Sequence, residues 1–244
     1  MIVLKNISKK YEGKLVLSDL SLEISEHETL CILGVSGCGK STLLKVMAGL
    51  ELPDSGSFEI DEQKMLDTPA EKRGIVYMSQ EPFLFPHMNV FENIAFGLRV
   101  RKWMNSEVEE KVNSLARRLG LTDELMKMPH QLSGGQKQRV NFGRSLIIEP
   151  RLILLDEPFG SLDSQTRAEM QQLFHDVRKE KKITALFVTH DIKEALIMGD
   201  RIARMDKGQL KVYPSSEVFL NSGDEDITQE LSFWKRMWTC LSEI

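Results

Sequence analysis

The stretch GVSGCGKS (34–41) sets three glycines, a lysine and a serine at the spacing G-x-x-x-x-G-K-S, between a short apolar run and an amphipathic one. Glycines let successive backbone N–H groups turn toward one point, and a helix starting there adds the positive end of its dipole. That chemistry suits a polyphosphate. Gly34, Val35, Ser36, Gly37, Cys38, Gly39 and Thr42 would supply the cradle, Lys40 would reach the terminal phosphates, and Ser41 would offer its hydroxyl oxygen to Mg2+. In RLILLDEP (151–158) an apolar run ends in two acids. Asp156 suits Mg2+, mainly through the ion's water shell, while Glu157 would take a proton from an attacking water. His190 in FVTHD and Gln80 in YMSQEP close two further apolar runs. A parallel sheet gathers such strand ends on one edge, so His190 would touch a terminal phosphate, orient Glu157 and water, or serve a structural purpose only. Tyr11 either stacks on a base or packs locally. A second anion site is written into LSGGQ (132–136), where a serine and two glycines precede a helical run.

The elements that must position these groups can be read from periodicity. Residues 2–7, 29–33, 74–78, 152–155, 185–188 and 201–205 read as strands, several of them continuously apolar, as expected for a parallel sheet covered on both faces. Amphipathic helices alternate with them: one follows Gly39, and another is marked by Met170, Leu173, Phe174 and Val177. Short runs at 16–24 and 55–61 suit a small antiparallel sheet, with a turn at 53–56. The fold class is therefore α/β. Residues 85–145 read as a helical insertion, with Val108, Val112, Leu115, Ala116 and Leu119 on one stripe entered through a capping box at Ser106 and Glu109. The expected division is a catalytic core at 1–84 and 146–222, the helical unit at 85–145, and a C-terminal helix at 223–244 striped by Leu231, Trp234, Trp238 and Leu241.

Composition narrows the function classes. The chain has 244 residues, 28% charged, with a net charge of −4, which argues against a general nucleic-acid footprint. No apolar run approaches membrane-spanning length, and MIVLKNISKKYEGK lacks the features of a secretory leader, so a cytosolic setting is expected. Cys31, Cys38 and Cys240 form neither a metal spacing nor a disulfide framework. Cys31 reads as a small core hydrophobe, and Cys38, beside Lys40 in a loop of N–H groups, as a thiol biased toward thiolate. The basic run RKEKK (178–182) reads as a solvated helix end.

Together these motifs, in this order and over nearly the whole chain, resemble the nucleotide-binding subunits of ABC transporters. GVSGCGKST is similar to the family's Walker A, LILLDEP to its Walker B, LSGGQ to its signature, Gln80 to its Q-loop, SLD (161–163) to its D-loop, His190 to its switch histidine and Tyr11 to its adenine-stacking aromatic. The resemblance implies a P-loop NTPase core of RecA-like parallel sheet with an antiparallel β subdomain and an inserted helical subdomain. It implies an ATPase that uses ATP and Mg2+, with Ser41, Gln80 and Asp156 on the ion and Glu157, His190 and Gln80 in catalysis. It also implies a head-to-tail dimer in which Ser133, Gly134, Gly135, Gln136 and Asp163 meet the nucleotide held by the other chain.

The further partners implied are integral membrane permease subunits at the cytoplasmic face of the cell membrane and, at one remove, an external solute-binding protein. EPFLFPHMNVFENIAFGL (81–98) is similar to the region that receives a coupling helix in importers, although Phe83, Leu84, Phe85 and Phe91 also suit local packing. The alternative is a soluble ABC-type ATPase acting on nucleic acid or ribosomes. Relatives of that kind would carry a long coiled-coil insertion or two tandem domains. Two departures from the family pattern stand out: Gly143 inside the helix after the signature, and Val35 where importers often have proline. The expected end near residue 244 leaves no room for the C-terminal barrel of many sugar and ion importers.

Overall fold

A computed structural model describes residues 1–223 and Thr228; the expected C-terminal helix and its tryptophans lie outside the described residues. In chain order the strands are β1 (Ile2–Tyr11), β2 (Lys14–Ile24), β3 (Thr29–Leu33), β4 (Ser55–Ile60), β5 (Gln63–Lys64), β6 (Ile75–Met78), β7 (Leu152–Asp156), β8 (Ala185–Thr189), β9 (Arg201–Asp206) and β10 (Gln209–Tyr213). The helices are α1 (Lys40–Ala48), α2 (Val90–Val100), α3 (Asn105–Arg118), α4 (Gly134–Leu146), α5 (Ser164–Lys181), α6 (Ile192–Met198) and α7 (Ser216–Leu220).

Two sheets result. One has the order β2-β1-β4-β5 and is antiparallel; the other has the order β10-β9-β3-β8-β7-β6, parallel apart from β10. The central strands β3 and β8 are buried at every residue. Their continuous apolar runs follow from that double cover, because both faces of the pleat need side chains that shed water. Alternation sorts the two faces. Leu30, Ile32, Leu154 and Val188 join Leu43, Leu44 and Met47 of α1 and the antiparallel sheet. Leu33, Leu155 and Phe187 face the other way, in a cluster that continues through Val112 and Ala116 of α3, Phe142 of α4 and Phe174 of α5.

The inserted helices show why sequence and packing agree here. Asn89 caps α2, accepting from the backbone N–H of Glu92 at 2.8 Å while Glu92 accepts from that of Asn89 at 3.0 Å. Gly143 lets α4 approach its neighbours: a Cβ there would lie 2.9 Å from Leu119 Cδ1 and 3.2 Å from Ile94 Cγ1. Its helix-propensity cost of about 1 kcal/mol relative to alanine is thus the cost of close contact.

Two local expectations are corrected. The α3 cap is Met104 rather than Ser106, and Glu107, not Glu109, accepts from the cap N–H at 3.3 Å. The helix therefore begins ahead of the S-x-x-E pattern, with the expected stripe of Val108, Val112, Leu115 and Ala116 buried. In RKEKK, Arg178 is no solvated end. It is buried, bonded to Thr29 Oγ1 at 2.8 Å and paired with Asp200, partners that lie in other segments of the chain.

A candidate nucleotide site built from two helix starts

Strand register brings the separated motifs to one edge. Leu33 of β3 is level with Thr189 of β8, Val188 with Asp156 of β7, and Leu155 with Met78 of β6. The residues that follow the four strand ends, Leu33, Thr189, Asp156 and Met78, are the glycine-rich loop, His190, Glu157 and the segment carrying Gln80.

The loop wraps as its glycines demand. Gly37 and Gly39 have φ of +80° and +116°, and a Cβ on Gly39 would stand 2.8 Å from the Val16 carbonyl oxygen. That close approach admits only glycine. Val35, Ser36 and Gly37 are exposed, Ser41 is exposed at the first turn of α1, and Thr42 is half-buried beside it. Lys40 is buried, with Nζ donating to the carbonyls of Gly34 at 2.7 Å and Val35 at 3.0 Å. Two of its three hydrogens thus shape the loop, and its charge sits inside the ring of N–H groups.

Cys38 departs from expectation. It is buried, and burial pushes its thiol up against the lowering pull of Lys40, so the thiolate bias read from the sequence is reversed. The side chain belongs to the core cluster that underlies the loop. Only its backbone serves the cradle.

At the next strand ends, Glu157 stands in the left-handed region at φ +46°, with its N–H donating to the Val188 carbonyl at 3.0 Å. A non-glycine residue there costs roughly 1–2 kcal/mol, a strain seen at sites where geometry matters more than stability. Glu157 Oε2 meets His190 Nδ1 at 2.9 Å. Glu157 is mostly shielded while His190 is largely exposed. Gln80 is exposed and lies close by, since a Cβ on Gly160 would be 3.3 Å from its Nε2 and 3.9 Å from Glu157 Oε2. Asp156 accepts from the Tyr77 hydroxyl at 3.0 Å. Burial and then the Asp156 carboxylate push the Tyr77 phenol well above its ordinary range, so it is the donor.

Tyr77 was missed from sequence. The signal was there in principle: parallel pairing sets it level with Leu154, two residues before Asp156.

The second helix start lies elsewhere on the chain. Ser133 caps α4, its Oγ accepting from Gln136 N–H at 3.2 Å, while Gln136 Oε1 accepts from Ser133 N–H at 2.9 Å. No acidic residue occupies the first turn, and Gly134 has open space where a Cβ would be. Gln136 is also tied through Nε2 to Glu124 at 3.0 Å. Gly135 backs onto α5, where a Cβ would meet Thr166 Cγ2 at 2.5 Å. Asp163 caps that helix from an exposed position; the Thr166 N–H bond at 3.0 Å holds its carboxyl below the usual range. Tyr11 closes β1 at the hairpin to β2, 39% exposed, with Lys9 Nζ 5.3 Å from its ring centre.

A sequence model described as ABC transporter matches residues 17–160, 144 of the 244 residues and so more than half of the chain. The chain belongs to the ABC transporter family. It is similar to the molybdate/tungstate import ATP-binding protein WtpC of Thermococcus kodakarensis, 44% identical over 96% of this chain and 71% of that protein. It is also 43% identical to the spermidine/putrescine import ATP-binding protein PotA of Vibrio cholerae, over 86% of this chain and about half (56%) of that protein's length. Among solved structures, a dimer of the ATP-binding cassette MJ0796 in a post-hydrolysis state with ADP and Pi superposes with a TM-score of 0.77 at 32% identity, covering 86% of this chain and 97% of that one. The chain is thus an importer-like ABC ATPase with the α/β fold of a P-loop NTPase. Among the described residues, no helix is long and apolar enough to cross a membrane.

Proposed function

We propose that this chain powers solute import by hydrolysing ATP at sites shared between two copies of itself, on the cytoplasmic face of a membrane that holds its permease partners. The observation that carries the reading is the pairing of Glu157 with His190 at 2.9 Å, His190 one strand and Glu157 two strands from the Lys40 loop. Glu157 takes the proton of the attacking water and His190 holds the carboxylate in place. Lys40, the loop N–H groups and the start of α1 bind the phosphates, and Tyr11 stacks on the adenine. Ser133, Gly134, Gly135, Gln136 and Asp163 face the nucleotide of the partner copy.

Magnesium fits the donors on this edge. Among the described residues no cluster of three or more His, Cys, Asp or Glu side chains is arranged to hold an ion. The hydroxyl of Ser41, the carboxylate of Asp156 and the amide oxygen of Gln80 are hard oxygens that suit an ion retaining waters and phosphates. When bound, that ion neutralises charge developing on the transferred phosphate.

The core (1–84 and 146–222) and the helical unit (85–145) enclose a groove of about 640 Å³ lined by Phe83, Phe96, Val100, Arg144 and Ile148 among others. Phe83 is 70% exposed, and Arg144 stacks 4.4 Å from the centre of the Phe85 ring. A largely apolar groove with two arginines, Arg101 and Arg144, on its wall suits a short helix from a permease. Relatives at similar identity serve an oxyanion or a polyamine, opposite in charge, so solute choice resides in the membrane subunits and their external binding protein.

Tagged chain is to be purified from detergent-solubilised membranes of its own source. A stoichiometric multi-spanning partner is expected; ribosomal or DNA-associated proteins alone would instead favour a soluble ABC-type ATPase.

A further inference from the structure

Tyr77 lies on β6, whose parallel register with β7 sets Tyr77 beside Leu154 and Met78 beside Leu155. A side chain leaning along its strand reaches the carboxylate two residues further on the neighbour. The hydroxyl donates to Asp156 Oδ2 at 3.0 Å. The ring is half-buried against the cluster that includes Leu43, Leu44 and Met47 of α1, the helix that begins at the phosphate loop. With one face of the ring against that cluster and the other toward the groove lined by Phe83 and Arg144, the hydroxyl hydrogen bond restrains the rotation of the carboxylate it touches.

A carboxylate that acts on an ion through water needs such restraint. Its own reach is short, and a free rotation about the terminal bond would move the oxygens away from the ion's shell. Outer partners of ion-holding groups act through orientation in this way.

We propose that Tyr77 is a positioning residue for the magnesium site: it holds Asp156 by Oδ2 and leaves the other oxygen to the water shell of the ion. This rests on the reading that Asp156 serves that ion. Packing of the ring on α1 also places the ion's carboxylate and the helix bearing Ser41 in one rigid frame. Sites that must hold charge in a fixed geometry are built this way, with the supporting residue locked by packing of its own.

The test uses the full chain with a non-hydrolysable ATP analogue and Mn2+ as the probe ion, free and bound Mn2+ being separated by electron paramagnetic resonance. Tyr77→Phe keeps the ring and loses only the hydroxyl. It is expected to weaken Mn2+ binding about tenfold without lowering the thermal unfolding temperature. In steady-state assays its turnover should fall at low Mg2+ and recover as Mg2+ is raised. Asp156→Asn is measured beside it. If Asp156→Asn weakens Mn2+ binding and Tyr77→Phe does not, Tyr77 merely packs and the proposal falls alone. If neither variant changes Mn2+ binding, the assignment of Asp156 falls and takes the proposal with it. A Tyr77→Phe defect that comes with a lower unfolding temperature and does not recover at high Mg2+ also overturns it, since that pattern belongs to a structural role.

Discussion

The starts of α1 and α4 are both proposed to meet phosphate, yet they are built to opposite plans. The α1 start is enclosed: two glycines at positive φ, a buried lysine bonded to the loop's own carbonyls, and Gly39 pressed on Val16. The α4 start is open. Ser133 and Gln136 satisfy each other, Gly134 meets nothing, and no lysine stands within the LSGGQ turn. The first combines a lysine with a glycine-rich loop at a helix start, a combination that suits a polyphosphate. The second offers a dipole and a flat face, which suit a phosphate already held by something else. Half a site exposed on a surface implies a partner that brings the other half.

The largest effect expected from breaking this scheme comes from the chemistry between the two starts. Glu157→Gln leaves both anion sites intact, so ATP binding should persist while phosphate release falls by about 10²- to 10⁴-fold. Near-normal turnover would remove Glu157 as the base. Gly134→Asp comes next. It places a negative charge where there is space for it, so folding and single-chain nucleotide binding should be unchanged. Turnover should drop by about 10²- to 10³-fold, the cost of spoiling one preorganised anion contact.

Alanine substitutions sharpen the contrast on stability alone. Gly39→Ala forces a Cβ onto a backbone oxygen at φ +116° and should destabilise the fold by about 1–3 kcal/mol. Gly134→Ala should be within roughly 0.5 kcal/mol of neutral. Denaturant titration of both variants checks this, and equal losses would erase the distinction between the two starts.

The smallest effect concerns Cys38. Its thiol is pushed up by burial, and the reactive form is the thiolate, so at about pH 8 it should alkylate more slowly than an unstructured cysteine, whose pKa is about 8.5. Its rate should rise toward higher pH than an ordinary thiol's. Rapid labelling at neutral pH would contradict the burial of that side chain.

What the sequence disclosed, and what it hid, follows the range of each interaction. The strands under the site were legible because a doubly covered parallel strand carries a continuous apolar run, as LCIL and ALFV do, with a threonine only at one end of each strand. The phosphate loop was legible because its glycines answer to local backbone geometry. The Cys38 error came from reading neighbours along the chain: Lys40 is two residues away, but the core beneath the loop decides the thiol's environment. Arg178 was misread for the same reason, since its partners Thr29 and Asp200 belong to other segments. Tyr77 reaches Asp156 across 79 residues, and only the pairing of β6 with β7 makes them neighbours. At α3 the buried stripe was legible from periodicity, while the start of the helix lay ahead of the local cap pattern.

The central claim is that one α1 start and one α4 start from different chains make a working site. It is tested most directly by mixing two inactive variants, Lys40→Ala and Gly134→Asp, and measuring phosphate release. Each homodimer lacks one half at both sites. A mixed dimer restores one complete pair, with Lys40 from one chain and the unaltered LSGGQ turn from the other. Activity in the mixture should stand well above that of either variant alone and rise with the fraction of mixed dimers. A mixture no more active than its parents would contradict the claim.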